Sequence, residues 1–228
     1  HSKYAAIDHD LIYRLAEKEL AKGRSPKEAL KAVRSKLHQI GGAYQGQLID
    51  YTQWAERLDR LPNDLHHPLT LQFCREMMPL HASTDERLPF IDRFYQEILA
   101  DLSHARSIID LACGLNPLSL PWLPLSPDAQ ITACDIYTDM LAFLERFFAH
   151  FRLNARAETC DLIHAVPQQP VQLALLLKTI PCLEQVDKTI GRRLLEQIQA
   201  EVLLVSFPVH SLGGRSKGML QFYENNFR

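Results

Sequence analysis

The chain has 228 residues, of which 46% are hydrophobic and 23% are charged, and this composition excludes an intrinsically disordered chain. It carries 25 basic and 27 acidic side chains, a formal net charge of −2, which excludes a uniformly basic nucleic-acid coat protein. No run approaches the roughly 18 uncharged apolar residues of a membrane span, and the five cysteines never form a CxxC pair. We therefore expect a cytoplasmic protein with reduced thiols, no metal site and no contact with membranes.

The first hundred residues predict helices throughout. A helical period over residues 8–21 ends at Gly23, and a capping box at Ser25-Pro26-Lys27-Glu28 starts a second helix that should reach Ile40. Three more helices are expected, over residues 47–61, over residues 65–78, and from a second capping box at Ser83-x-x-Glu86 that directs Phe90, Phe94, Tyr95 and Ile98 inward.

Positive charge is concentrated on the second predicted helix. Residues 22–38 contain six basic side chains and one acidic one, so this segment carries +5 and the rest of the chain carries −7. The helix has an apolar stripe through Val33 and Leu37, and its other stripe is basic. Such a directed charge is typical of a surface that binds an anionic partner. The basic stripe consists of Lys27, Lys31, Arg34 and His38.

From Arg106 onward, short apolar runs alternate with helical periods. The run SIIDLACG ends in Asp and Gly, which is typical of a buried parallel strand that enters a loop. The alternation predicts a doubly wound α/β sheet in residues 105–228, after a helical domain in residues 1–104. Further strands are predicted over residues 130–136, 155–160, 171–177 and 202–207, with helices over residues 138–151 and 182–199.

Carboxylates after the first three strands are the candidate ligand-binding groups. The loop after Asp110 contains Gly114 but no GxGxxG motif, which argues against a pyrophosphate and favours a nucleoside such as S-adenosylmethionine. Asp135 lies 25 residues after Asp110, the spacing of a carboxylate that binds ribose hydroxyls, although a solvated residue that caps the next helix has the same spacing. Asp161 is a candidate for the adenine amino group or an ordinary turn residue.

Three other features have two interpretations each. Cys182 follows a proline after the fourth strand, where a nucleophilic thiol is possible, but buried cysteines more often serve in packing. Lys178 ends an apolar strand, and either faces a ligand or RNA phosphate or extends its stem to solvent. Residues 206–219 are rich in glycine and basic side chains, which suits phosphate contacts as well as an exposed loop.

Six blocks of the sequence resemble the aminoglycoside-resistance 16S rRNA methyltransferases, the family that modifies N7 of guanine 1405. The resemblance implies a class I (Rossmann-like) S-adenosylmethionine-dependent methyltransferase with an all-helical N-terminal domain that docks on rRNA. The blocks are KLHQIGGAY (36–44), HASTDERLP (81–89), DLACGLNPLSLPW (110–122), ACDIY (133–137), LLLKTIPCLEQ (175–185) and SFPVHSLGGRSKGM (206–219).

The resemblance also implies roles for individual residues. Arg87 matches the arginine that pairs with the methionine carboxylate of the cofactor, Asp135 the ribose-binding acid, and Asp161 the acid at the adenine. The other expected cofactor-binding residues are Asp110, Ala112, Gly114, Ile136 and Leu162. Lys178, Arg215 and Met219 are expected around the target nucleotide. The rRNA-binding residues are expected to be Lys3, Lys27, Lys31, Arg34, Lys36 and Lys217.

The implied reaction needs no catalytic acid or base, because guanine N7 is an unprotonated lone pair and the enzyme mainly aligns the reactants. The expected product is S-adenosylhomocysteine, and the expected partner of the monomer is 16S rRNA in the assembled 30S subunit, with its target base turned out of the stack. Two alternatives remain open: a Cys182-dependent rRNA cytosine-C5 methyltransferase, and a non-catalytic ribosome-binding factor with a vestigial nucleotide fold.

The sequence departs from the family pattern in two places. Relatives continue beyond the YENNF segment into two more strands, whereas this sequence ends at Arg228, so we expect a sheet that lacks those C-terminal strands. Relatives also often have glutamine where Cys160 precedes Asp161, which leaves the residue beside the adenine open.

Overall fold

The computed structural model describes residues 4–42, 44, 48–102 and 105–208, and its N-terminal part consists of short helices. The Asp8 carboxylate accepts a hydrogen bond from Leu11 N at 3.2 Å and caps the first helix. Ser25 and Glu28 form the predicted capping box of the second. The helices are α1 (His9–Leu20), α2 (Pro26–Leu37), α3 (Tyr51–Leu58), α4 (Pro68–Met77), α5 (Ala82–Asp85) and α6 (Ile91–Ile98).

The rest of the described chain forms a parallel sheet with helices on both faces. Its order is β3-β2-β1-β4-β5, and every pairing is parallel, so the predicted doubly wound α/β fold is present. The order reverses between β1 and β4, which defines the switch point. The strands are β1 (Ala105–Leu111), β2 (Leu125–Asp135), β3 (Ala155–Thr159), β4 (Val171–Leu177) and β5 (Ala200–Ser206), and the helices are α7 (Thr138–His150), α8 (Ile180–Leu183) and α9 (Ile190–Gln197).

Alternate residues of the central strands enter different hydrophobic clusters. Ile108 and Leu175 pack with α7 and the N-terminal helices. Ile109 and Ala174 pack on the other face with α8 and α9. The ring centroids of Tyr51 in α3 and Phe143 in α7 lie 5.6 Å apart, so the N-terminal helices and the sheet share one of their cores.

The N-terminal segment is joined directly to the turn after β2. Asp8 N donates to Ile136 O at 2.9 Å, and Thr138 N donates to Ala6 O at 2.8 Å. Ile7 and Tyr137 form an isolated antiparallel bridge. These bonds fix the start of α1 beside the carboxyl end of β2.

Two of the predicted helices do not start where the sequence analysis expected. The helix expected over residues 47–61 begins only at Tyr51, because the Asp50 carboxylate accepts bonds from Thr52 N and Gln53 N and caps it there. Ser83 is not an N-cap: it lies within α5, which has no side-chain cap. Pro89 disfavours α-helix at the residue before it, and a separate helix, α6, starts at Ile91.

The predicted inward face of the fifth helix is also partly wrong. Tyr95 is fully buried, whereas Phe90 and Ile98 are 43% and 48% exposed, because the buried positions are Ile91, Tyr95 and Leu99. The helix predicted over residues 182–199 is divided into α8 and α9. Asp187 interrupts it by accepting hydrogen bonds from the backbone N and the hydroxyl of Thr189.

Two expectations from composition concern cysteines and membranes. None of the five cysteines is in a disulfide, and four are buried, as expected for core thiols. Within the described ranges, no helix has both the length and the apolar composition needed to cross a membrane.

Candidate functional site at the switch point

An open cavity lies beyond the carboxyl ends of β1, β2 and β4. Doubly wound folds bind their ligands at this switch point. Six residues that the sequence predicted for ligand binding line this cavity: Ala112, Asp135, Ile136, Asp161, Leu162 and Lys178.

Left-handed backbone occurs where two of these strands meet the cavity. Ala112 after β1 has φ +53°, and Lys178 after β4 has φ +60°. A non-glycine residue in this region carries a cost of order 1–3 kcal/mol and is found most often at binding and catalytic sites. The strain therefore marks the same edge of the sheet that the cavity occupies.

Asp135 lies in the cavity wall with its carboxylate buried. Its Oδ2 accepts from Gly114 N at 2.9 Å, and its Oδ1 accepts from Ile136 N at 2.7 Å and Tyr137 N at 3.3 Å. Burial raises the pKa of Asp135, and these bonds partly offset the increase. The solvated alternative is therefore wrong. Because a carboxylate has about four acceptor positions, one remains on Oδ2 for a ligand hydroxyl.

Asp110 does not line the main cavity. It shares the strand face of Ile108 and accepts from Asn116 Nδ2 at 2.8 Å, while its Oδ1 has no hydrogen-bond partner among the described residues. Burial raises the pKa of Asp110 to about 7. The carboxyl group therefore belongs to a buried network behind the first loop, where it supports the loop rather than facing the cavity.

Arg87 belongs to the same network. Its guanidinium is buried and donates to Asn116 Oδ1 at 2.8 Å and to Ser83 Oγ at 3.3 Å. Ser83 lines the cavity and Arg87 does not, so the arginine lies one side chain behind the wall. Its Nε has no hydrogen-bond partner among the described residues. The pairing with a cofactor carboxylate stays a prediction.

Gly114 lets His81 approach the first loop. Its φ is +52°, and a Cβ at this position would lie 2.6 Å from His81 Cε1. The His81 ring stacks on Tyr44 with centroids 5.7 Å apart, and both residues line the cavity. Burial lowers the pKa of His81 to about 4, so the imidazole is neutral at pH 7 and adds no positive charge to the cavity.

Lys178 is held inside the cavity wall and does not extend to solvent. The residue is 7% exposed, and its ammonium forms an ion pair with Glu86. Its backbone N donates to Ser206 O at 2.9 Å. Burial lowers the pKa of Lys178. Of the two interpretations, the snorkelling one is wrong, and a role toward a ligand remains.

Cys182 also lines the cavity, as a neutral thiol. Its Sγ lies 2.5 Å from Tyr44 Oη and donates to Lys178 O at 3.2 Å. Burial raises the pKa of Cys182 to about 11, whereas a nucleophilic cysteine needs a lowered pKa. The arrangement favours a packing role for this thiol.

Asp161 is bound from two directions at the edge of the cavity. Its Oδ1 accepts from Ile163 N at 3.0 Å, and its Oδ2 accepts from Arg14 Nε at 3.2 Å and Nη2 at 3.0 Å. The first bond is that of a turn residue, as one interpretation had it. The second joins α1 to the cavity wall and was not predicted.

The basic helix α2 has two kinds of cation. Lys27, Lys31 and Arg34 are exposed. Lys36 is instead bound to the buried Glu19 at 2.6 Å. Glu19 also pairs with Lys22 at 2.8 Å and Arg24 at 2.7 Å. The hydrogen bonds from Lys22 and Lys36 lower the pKa of Glu19 to about 2. Three of the six basic residues of segment 22–38 therefore already share one carboxylate.

Four predicted site residues lie outside the described residues. They are Lys3, Arg215, Lys217 and Met219.

Comparison with known proteins identifies the family of this chain. A model of the family described as "Ribosomal RNA methyltransferase (FmrO)" matches residues 1–228. The 16S rRNA (guanine(1405)-N(7))-methyltransferase of Micromonospora rosea is 34% identical over 227 residues, which cover 99% of this chain and 83% of that protein. The chain belongs to the FmrO family of ribosomal RNA methyltransferases. This confirms the resemblance drawn from the six sequence blocks.

Solved structures of 16S rRNA methyltransferases have the same fold. The 16S rRNA methyltransferase RmtF, in complex with S-adenosyl-L-homocysteine, has a TM-score of 0.79 and 30% identity, and the match covers 98% of this chain and 83% of that one. The 16S rRNA methylase RmtB has a TM-score of 0.80 and 27% identity, over 100% and 85% of the two chains. The predicted class I methyltransferase fold is confirmed.

Sequence reasoning missed several residues of this FmrO-family cavity. His81 and Tyr44 lie within the quoted blocks without an assigned role, and their pairing depends on the fold. Glu86 was taken as part of a capping box, but it is the partner of Lys178. Arg14 lies 147 positions from Asp161, so no local pattern could have connected them.

Proposed function

We propose that this chain transfers a methyl group from S-adenosylmethionine to N7 of guanine 1405 in 16S rRNA and thereby confers aminoglycoside resistance. The observation that carries the proposal is the cavity that brings Asp135 and Asp161 together with Lys178. The two carboxylates suit the nucleoside part of the cofactor, and the lysine suits the RNA; all three side chains line the same cavity. Membership of the FmrO family supplies the class of reaction.

The residues of the cavity fit the cofactor. Asp135 Oδ2 has one acceptor position for a ribose hydroxyl, and the apolar side chains of Leu162 and Ile163 line the end near Asp161, where an adenine ring would lie. Arg87, which donates to Ser83 in the cavity wall, is proposed to pair with the carboxylate of the cofactor. When bound, S-adenosylmethionine supplies an electrophilic methyl group on a cationic sulfonium.

The chain's own residues have a geometric task. Guanine N7 has no proton to remove, so no cavity residue is needed as a base. The neutral His81 and the Glu86-paired Lys178 limit positive charge near a cationic sulfonium. Lys178, together with Arg215 and Met219, is proposed to hold the target nucleotide so that N7, methyl carbon and sulfur align.

The exposed cations of α2 are proposed to dock the enzyme on rRNA. Lys31 and Arg34 are free of the Glu19 cluster and face solvent, which suits phosphate contacts that give affinity without reading bases. Lys27 extends the same face, and Lys3 and Lys217 are proposed to add to it. We propose that residues 1–104 form the docking part and residues 105–228 the methyltransferase part of a monomer that acts on the 30S subunit.

Mapping of modified 16S rRNA tests the proposal. Purified enzyme, S-adenosylmethionine and 30S subunits should give a 7-methylguanine at position 1405, detected by mass mapping of nuclease fragments. A short naked hairpin with the same sequence should be methylated poorly if rRNA tertiary shape is recognised. Modification at another base, or no cofactor binding in a titration, would contradict the proposal. The second outcome would support the non-catalytic alternative.

Replacement of Cys182 separates the remaining alternative. Cys182→Ala removes a packed thiol with a raised pKa, and we expect methylation to fall by a few-fold at most, with a stability cost of about 1 kcal/mol. A cytosine-C5 mechanism requires the thiolate as nucleophile and would lose all activity. The measurement is methyl transfer to 30S subunits at saturating cofactor.

A further inference from the structure

An arginine of the first helix holds the carboxylate at the edge of the cavity. Arg14 donates twice to Asp161 Oδ2, from Nε at 3.2 Å and Nη2 at 3.0 Å. The Asp161 side chain is 9% exposed and the Arg14 side chain is 32% exposed. Asp8 is a weaker second partner of Arg14, with its Oδ2 at 3.8 Å from Nη2. A charged donor with two N–H groups on one oxygen fixes the orientation of that oxygen.

Arg14 approaches Asp161 from outside the cavity. It lines two neighbouring surface pockets that Asp161 also borders, whereas Asp161 alone of the pair lines the cavity at the switch point. The carboxylate therefore separates the arginine from the ligand space. Arg14 acts on a ligand only through Asp161.

Helix α1 is rigidly placed for this contact. Asp8 N donates to Ile136 O, and Thr138 N donates to Ala6 O, directly after the ribose-binding candidate Asp135. Three residues further along the chain from Asp8, Leu11 lines the cavity. The helix thus starts beside the residues that follow Asp135 and, through Arg14, also contacts Asp161.

The acceptor positions of Asp161 leave room for one more donor. Ile163 N occupies one position on Oδ1, and Arg14 occupies Oδ2 with both of its bonds. Of about four acceptor positions on a carboxylate, one remains, and it is on Oδ1. An amino group in the cavity would donate to this remaining acceptor position.

We propose that Arg14 is a positioning residue for adenine recognition: it orients Asp161 so that the remaining Oδ1 position accepts the 6-amino group of the cofactor. This inference rests on the proposed function, in which the adenine lies at Asp161. It makes a helix of the rRNA-docking part a determinant of cofactor specificity. Without Arg14 the carboxylate keeps only the Ile163 bond and rotates among several orientations.

The test compares S-adenosylhomocysteine with its deaminated analogue, in which a carbonyl oxygen replaces the 6-amino group of the purine and N1 carries a proton. The carbonyl oxygen would face Asp161 and repel it. Titration calorimetry on the full chain should show that the wild type prefers the amino ligand. We expect Arg14→Ala to weaken S-adenosylhomocysteine binding by about 5- to 10-fold and to lose most of the preference, because Asp161 loses the charged hydrogen bonds that orient its remaining acceptor position.

Two further variants make the result specific. Lys18→Ala removes an exposed cation from the same helix that does not contact Asp161, and it should leave both affinities unchanged. Arg14→Lys restores the ion pair without the paired N–H groups and should recover part of the preference. If Arg14→Ala does not fold, the comparison of Arg14→Lys with the wild type still tests the proposal.

Two outcomes would overturn the inference in distinguishable ways. If Arg14→Ala weakens both ligands equally, the ion pair only tethers α1 and the residue has no positioning role. If the wild type and Asp161→Asn bind both ligands alike, the adenine does not lie at Asp161, and the proposed assignment of the cofactor site fails with it.

Discussion

At the scale of single residues, the loop after β1 requires glycine at position 114. The φ of Gly114 is +52°, and a Cβ added there would lie 2.6 Å from the His81 ring, so any larger residue meets two costs. Gly114→Ala should therefore lose about 3 kcal/mol of unfolding free energy, from left-handed backbone strain together with overpacking. Urea denaturation followed by circular dichroism measures the loss.

Gly23 is the matched control for that change. Its φ is +78°, but nothing lies within 4 Å of a Cβ there, so Gly23→Ala should cost only the backbone strain of about 1 kcal/mol. Only Gly114→Ala should also weaken S-adenosylhomocysteine binding, because His81 lines the cavity. Equal losses for the two variants would show that the His81 contact is unimportant.

Asp110 makes stability depend on pH. Burial raises its pKa from 3.8 to about 7, so the protonated form stabilises the fold at low pH and this contribution is lost as the pH rises from about 4 to about 7. Asp110→Asn removes the titration and keeps an oxygen that accepts from Asn116. Between about pH 4 and pH 7, the unfolding free energy of the variant should therefore rise relative to that of the wild type by on the order of 3 kcal/mol.

The control for Asp110 is an exposed carboxylate. The hydrogen bond from the Ser126 hydroxyl lowers the pKa of Asp128, so the contribution of Asp128 to stability increases as the pH rises, opposite in sign to that of Asp110. The unfolding free energy of Asp128→Asn should not rise relative to that of the wild type between about pH 4 and pH 7. Urea denaturation at several pH values gives both curves, and parallel curves for Asp110→Asn and the wild type would contradict the assignment.

At the scale of elements, α2 separates a docking function from a folding function. Lys31 and Arg34 are exposed, whereas Lys36 is bound by Glu19. Charge reversal at both exposed residues, Lys31→Glu with Arg34→Glu, should weaken 30S binding by about 10- to 100-fold at low salt and reduce its salt dependence. Cofactor affinity should not change, because neither residue lines the cavity.

The matched control makes the same change in net charge elsewhere. Lys188→Glu with Arg192→Glu alters exposed cations at and before α9, which packs on the other face of the sheet. Filter binding at two or more salt concentrations should show little effect for this pair. An equal loss of 30S affinity in both double variants would mean that net charge, not the α2 surface, controls docking.

Elements were predictable where a local signal and the tertiary environment agree. The strand over residues 171–177 is found with its predicted bounds as β4, because a fully apolar run suits a central parallel strand. The Ser25 capping box is also as predicted. The signal at Ser83 failed for two reasons: the Thr84 hydroxyl donates to His81 O at 2.9 Å, and the nearby Pro89 divides the segment into short turns.

The site was predictable to the extent that it follows from strand ends. Asp135 and Asp161 were found because each ends or follows a strand of a doubly wound sheet, and both line the cavity. The contacts that hold them come from distant segments, such as Arg14, and from close approach of His81 to Gly114. Such contacts require the packed structure, since spacing along the chain carries no information about them.

At the scale of the whole molecule, the helical and α/β parts share one hydrophobic cluster. Leu11, Val33 and Phe73 from the helices belong to it together with Ile131 and Phe147. Asp92 of α6 also accepts a hydrogen bond from Trp122 Nε1 at 2.9 Å, across the two parts. A shared core couples the unfolding of both parts, because exposing one half leaves the apolar surface of the other uncovered.

The two tryptophans report on different regions, Trp54 on the helical part and Trp122 on the boundary between the two parts. Trp54 lies in α3 against Phe73, and Trp122 lies in the turn after β1; the chain has two tryptophans in all. Trp122→Phe leaves a reporter in the helical part, and Trp54→Phe leaves one where the turn after β1 contacts α6. Urea denaturation followed by fluorescence should give, for each variant, a midpoint that coincides with its own circular dichroism midpoint. S-adenosylhomocysteine at about 100 times its Kd should stabilise both parts together by about 2.7 kcal/mol. Fluorescence and dichroism midpoints that separate, or a ligand shift confined to the Trp122 signal, would show two independently folding units in place of the single cooperative one that the shared core predicts.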